Sequence, residues 1–144
     1  MFLACLILGC NRHAAVPSTT PTKFSAKIGG FEGQSAVELT APDTLIYLYN
    51  SRTFTSNPGT ERTTIKVTEA QWQKFRARLD AAKVWTWKAD YIDPGVMDGL
   101  FWSFHVDFGD KKINCLGSNA YPEQAQFDAM LAAVRELLGG KSFK

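Results

Sequence analysis

DGLFWSFHVDFGDKKINCLGSNAYP, Asp98 to Pro122, reads as two antiparallel strands joined by a tight turn at Gly109-Asp110, then a Gly- and Asn-bearing bend that feeds a helix. Trp102, Phe104, Val106 and Phe108 alternate with Phe101, Ser103, His105 and Asp107. Successive strand residues point to opposite faces, so one side of this strand is apolar and the other mostly polar. In the return strand Cys115 shares inward parity with Ile113, leaving Asn114 outward. A sheet buried on one side and wet on the other follows, with this stretch supplying central strands.

Upstream, Phe24, Ala26 and Ile28 alternate with Ser25 and Lys27, and Val37 with Leu39 continue as a second strand. The run TLIYLYN, Thr44 to Asn50, is apolar at both parities, which suits a central strand or one covered on its second face. Ser51 to Thr60 reads as a loop, with Asn57-Pro58-Gly59 its turn signal, and Thr63 to Val67 as a short strand. Thr68 fits a helix N-cap because Gln71, three residues on, can complete a capping box. Trp72, Phe75, Leu79 and Ala82 then recur on one helical stripe, with Lys74, Arg76, Arg78 and Asp80 outward.

Val84 to Tyr91 returns to period two, with Trp85, Trp87, Ala89 and Tyr91 sharing a face, and reads as a strand close enough to the one at Leu100 to be its neighbour. Pro122 suits the first turn of the last helix, where Glu123 would meet the positive end of the helix dipole. Phe127, Leu131, Val134 and Leu138 recur on one face of that helix, which Gly139-Gly140 stops. The whole is an α+β domain: a mainly antiparallel sheet with two amphipathic helices packed on one face.

The chain has 144 residues, 45 % of them hydrophobic and 21 % charged, which is enough for one domain, expected over 24–144. A formal charge of +2 gives no reason to expect nucleic acid as a partner. Lys and Arg outnumber Asp and Glu between Arg62 and Lys88, and their alternation with apolar helix positions makes a solvated helix face the expectation. Gly30 and Gly33 do not make a phosphate loop, because no Gly-Lys-Ser/Thr follows.

Residues 1–9, MFLACLILG, are continuously apolar or small, and Ile7-Leu8-Gly9-Cys10 resembles the bacterial lipobox. The resemblance implies cleavage before Cys10, lipidation of that cysteine, and a lipid anchor in a bacterial membrane. The segment is shorter than the usual ~15–30 residue signal and lacks a basic n-region, so it reads as truncated or atypical. Asn11 is not the aspartate associated with inner-membrane retention, so the implied address is an outer-membrane lipoprotein facing the periplasm; a Gram-positive surface lipoprotein fits the same motif. Residues 10–23 carry Pro, Ser and Thr without an apolar period and read as a flexible tether, in which His13 has no role. Loss of Cys5 with the signal and lipid on Cys10 would leave Cys115 alone, so no intramolecular disulfide is expected, and no cofactor.

Trp87, Tyr91, Asp98-Gly99, Trp102, Gly117-Ser118-Asn119 and Tyr121-Pro122 together form a pattern similar to that of small uncharacterised bacterial lipoprotein-like domains, over roughly Trp72 to Leu138. That resemblance implies a class and a location, with no catalytic residue to carry over. The functional expectation is therefore a cell-envelope binding module contacting an envelope protein or peptide, with His105, Asp107, Asn114, Ser118 and Asn119 as candidate surface residues. The alternative is a small hydrolase or metal-dependent enzyme built on His105 and Asp107, which lie about 6.6 Å apart along one strand. Two groups make neither a triad nor a metal shell, so that reading needs a third polar group, with Asp98 and Asp110 within reach only if loops fold back. A third reading, a module that occludes another protein, needs exposed aromatics among residues such as Trp72, Trp87 and Phe101.

Overall fold

The computed structural model describes residues 18–51 and 59–144. Cys10, His13, the lipobox-like segment and most of the expected loop after Ser51 lie outside them. Among the described residues, β1 (Lys23–Gly30), β2 (Gly33–Ala41), β3 (Thr44–Ser51), β4 (Thr60–Lys66), β5 (Asp90–Ile92), β6 (Phe101–Asp107) and β7 (Lys112–Ser118) form one sheet in the order β4-β3-β2-β1-β6-β7-β5. Helices α1 (Glu69–Ala81) and α2 (Gln124–Leu137) pack against one of its faces. The fold is α+β, as its sequence pattern implies, and no helix among the described residues is long and apolar enough to cross a membrane.

Strand parity decides what is buried. Phe24, Ala26 and Ile28 of β1 and Trp102, Phe104 and Val106 of β6 face the helices, as do Ile113 and Cys115 of β7. They meet Trp72, Phe75 and Leu79 of α1 and Phe127, Met130, Val134 and Leu137 of α2. Phe24 is the hinge of this contact, its ring set edge-on to Trp72 at 5.8 Å and to Phe75 at 5.2 Å. Each fully buried Val, Leu, Ile, Phe or Met among them contributes about 1.5–3 kcal/mol. The capping box is present: Thr68 Oγ1 accepts the Gln71 N–H, and Gln71 Oε1 accepts the Thr68 N–H at 2.8 Å.

Four expectations need correction. Val84 to Tyr91 is not one strand: Lys83 turns left-handed at φ 56°, Val84–Thr86 is a short 3-10 turn, the backbone is extended again at Trp87, and the strand β5 covers only Asp90–Ile92. The alternation there has two unrelated causes. Trp87 is buried against Trp102, whereas Trp85 is half-buried against Phe108 and donates its indole N–H to Asp80. Second, β5 pairs in parallel with β7 and does not lie beside β6, the Leu116 N–H donating to Ala89 O at 2.9 Å. Third, β3 is one strand from the edge; its second apolar parity leaves Leu48 exposed and Ile46 half-buried on the face without helices. Fourth, Pro122 precedes the N-cap, which is Glu123, and α2 begins at Gln124.

At the chain's ends, residues 18–22 run along the domain. Arg76 donates to Ser18 O, Thr19 donates to Glu69, and the Thr22 N–H donates to Asp107 O. After α2 the last residues return to the core, where Phe143 is buried and the Tyr47 hydroxyl donates to Ser142 O at 2.5 Å.

Candidate functional site

The sheet face opposite the helices carries most of the candidate residues, and the register fixes their positions. One row runs Glu38, Ser25, His105, Asn114 across β2, β1, β6 and β7. The next row toward the β6–β7 turn runs Lys23, Asp107, Lys112. At the other end of the strands, Gly29, Phe101, Ser118 and Ile92 form a row across β1, β6, β7 and β5. His105 is thus half-buried between Ser25 and Asn114, while Ser118 lies roughly 13 Å further along the strands.

Asp107 and Asn119 already hold structure. Asp107 Oδ1 accepts the Gly109 N–H at 2.7 Å, closing the turn between β6 and β7. Asn119 sits in the left-handed region at φ 57°, donates its N–H to Leu100 O at 2.8 Å and its Nδ2 to Val96 O at 3.1 Å. Its side chain occupies the space over Gly99, where an added Cβ would fall 1.5 Å from Asn119 Oδ1. His105 and Asp107 share a face as their parity requires, but the row neighbours of Asp107 are lysines. Among the described residues no group of three or more His, Cys, Asp or Glu is placed to hold a metal ion. Cys115 is buried, with its thiol pushed up to about 12 by burial.

Trp87, Tyr91, Trp102 and Tyr121 converge at the Ser118 end of the sheet. Trp102 meets Phe127 at 4.9 Å, Tyr91 at 5.8 Å and Trp87 at 6.2 Å, and Tyr121 closes on Phe127 at 4.9 Å. Trp102 Nε1 donates to Ala120 O and Trp87 Nε1 to Gln126 Oε1, each at 3.0 Å. Trp87 is buried in this corner, and Trp72 is buried separately against Phe24 and Phe75 with its indole N–H donated to Pro42 O, so neither presents an aromatic surface.

Above the corner lies what sequence reading missed. Ile92, Phe101 and Leu116 flank Ser118 on the open face, being 60 %, 40 % and 45 % exposed. Val96 and Met97, the latter 97 % exposed, lie on the loop between β5 and β6, which Asn119 ties down. The turn between β1 and β2, with exposed Phe31 and Glu32, abuts the same loop, since a Cβ on Gly30 would meet Gly99 O at 3.2 Å. Outward parity flags Phe101 and Leu116 in the sequence; Ile92 joins them only through the parallel pairing of β5.

The basic face of α1 is solvated and paired. Lys74 and Arg78 both bind Glu136 of α2 across a shallow groove walled by Phe75 and Leu137, and the Lys74 hydrogen bond holds the Glu136 carboxyl below its ordinary pKa. Arg76 grips Asp110 on the β6–β7 turn with its guanidinium 4.9 Å from the centre of the Phe108 ring. No known family model matches the chain, and comparison with curated proteins gives no match.

Proposed function

We propose that this chain is a bacterial cell-envelope lipoprotein, anchored through Cys10, whose α+β domain is a binding module for an envelope protein or peptide. The observation that carries the binding part is the exposure of Ile92, Phe101 and Leu116, with Val96 and Met97 on the adjoining loop, beside a sheet face that no helix among the described residues covers. Apolar side chains exposed together, rather than singly, mark interaction surfaces. Ser118 is the one expected surface residue within that group; Asn119 shapes it from below, and His105, Asp107 and Asn114 lie further down the same face.

The address rests on Ile7-Leu8-Gly9-Cys10. Its test is metabolic lipid labelling of the wild type and Cys10→Ala in bacterial cells, with and without globomycin, combined with membrane fractionation. The expected result is label and membrane association that both vanish in Cys10→Ala and a precursor that accumulates under globomycin. Membrane association unchanged by Cys10→Ala would remove the anchor from the reading.

A further inference from the structure

Resting on the binding-module reading, we infer that the apolar end of the sheet docks a basic, apolar polypeptide segment. The surface comprises Ile92, Phe101 and Leu116 around Ser118, continued by Val96 and Met97. Its rim is acidic. Glu32 lies on the abutting β1–β2 turn, Asp90 opposite Leu116 on β5, and Asp93 and Asp98 on the loop, all four exposed. Among the described residues two cations lie near them: Lys27, whose ammonium is 5.4 Å from the centre of the Phe101 ring, and exposed Lys88, two residues before Asp90. Lysines recur at the other end of the strands, where Lys23 and Lys112 flank Asp107 in register. The charge around the apolar group therefore favours a partner that brings lysine or arginine beside apolar side chains.

The charge of the rim favours a polypeptide over an anionic lipid surface. β1 begins at Lys23, paired with Asp107, whereas Gly29 pairs with Phe101 at the far end of β6. Seven residues of β6 span about 20 Å, so the N-terminal segment enters the domain that far from the apolar end. An anionic headgroup layer would repel the carboxylates around this surface. A short extended segment suits the site, because its side chains alternate and can place cations over the rim while apolar groups meet Phe101 and Ile92.

The test uses the full chain with Cys5 and Cys10 changed to Ser and a fluorescent peptide of alternating lysine and leucine, read by anisotropy and by amide shift changes. Binding should be saturable, should weaken as salt rises from about 0.05 to 0.3 M, and should shift amides at residues 90–101 and 116–118. Glu32→Lys combined with Asp98→Lys should weaken it about tenfold, and Met97→Ser severalfold. Lys112→Glu, at the opposite end, should leave it within twofold. Equal binding of a glutamate–leucine peptide, shift changes confined elsewhere, or indifference to the charge reversals would overturn the inference. Binding of the same unlipidated protein to anionic phosphatidylglycerol vesicles through these residues would replace it with a membrane surface, and concentration-dependent self-association through them with a second copy. Because this protein carries no lipid, failure here leaves the Cys10 anchor untouched, and failure of the labelling experiment leaves this result standing.

Discussion

The indole of Trp102 lies directly over Gly117, its cross-strand partner: a Cβ on Gly117 would fall 2.1 Å from Trp102 Nε1 and 2.7 Å from Ala120 O. A glycine is needed there so that the ring can lie flat on the strand and reach Ala120 O. Gly117→Ala must eject the ring, open a cavity among Trp87, Tyr91 and Phe127, and orphan the indole N–H. The expected loss is about 3 kcal/mol or more in urea unfolding. Gly109→Ala is the control, since that turn has φ +88° and open space around it, and should cost only about 1–2 kcal/mol of backbone strain. Equal losses at the two positions would show that crowding at Trp102 is not what requires glycine.

The same corner explains how far the sequence could be read. Parity along Phe101 to Asp107 and Lys112 to Ser118 was sufficient to place Trp102, Phe104, Val106, Ile113 and Cys115 inward, because a half-wet strand records its own environment in alternate residues. Thr68 and Gln71 announced their helix because capping is local chemistry. Trp85 and Trp87 misled because their burial depends on Phe108 and Trp102, both distant in sequence, and no local period records such contacts. The parallel pairing of β5 is invisible for the same reason, and with it the apolar group around Ser118, which is assembled from three strands and a loop.

Acid should weaken the fold through its paired surface carboxylates. Asp110 is held below its ordinary 3.8 by hydrogen bonds from Arg76, and Glu61 below 4.5 chiefly by Lys141. Asp80 is lowered despite burial, which alone would raise it, because Lys111 and the Trp85 N–H both donate to it. A carboxyl whose folded pKa is depressed binds fewer protons than in the unfolded chain, so its stabilisation is present above the unfolded value and is lost as pH falls through the folded one. The urea midpoint should therefore begin to fall as pH drops below about 5 and keep falling through the depressed folded values. Asp110→Asn should lower the midpoint at pH 6.5, and the gap to wild type should shrink as pH falls below the ordinary carboxyl value of about 4. A gap independent of pH would show that the Arg76 pair does not contribute through its charge.

The last turn of chain should matter more than its position suggests. Phe143 is 1 % exposed, Arg135 donates to its carbonyl at 3.1 Å, and the neighbouring Ser142 carbonyl takes the Tyr47 hydroxyl. Phe143→Ala should cost about 3–5 kcal/mol, as a large-to-small change in a packed core does. Deleting residues 141–144 also removes the Ser142 carbonyl that accepts from the Tyr47 hydroxyl and uncovers that hydroxyl to water. Burial raises the Tyr47 pKa, so its ultraviolet titration should move back toward 10.0 in the truncated protein. A truncated protein as stable as the full chain would show the segment to be dispensable.

Cys115 should be chemically silent until the sheet opens. Its thiol donates weakly to Phe104 O at 3.6 Å, is 2 % exposed, and is pushed up to about 12 by burial. At pH 8 a thiol with that pKa is ionised in only about one molecule in ten thousand, against about a quarter for a free cysteine near 8.5. In a Cys5→Ser/Cys10→Ser protein, an aromatic disulfide reagent should react at least about a thousandfold more slowly than with the urea-unfolded chain. The native rate should rise with low denaturant in step with opening of the β6–β7 pair, since the reagent reaches sulfur only through that opening. Rapid labelling of the native protein would mean that the thiol is accessible and activated, and would reopen a nucleophilic role that its inward position on β7 otherwise argues against.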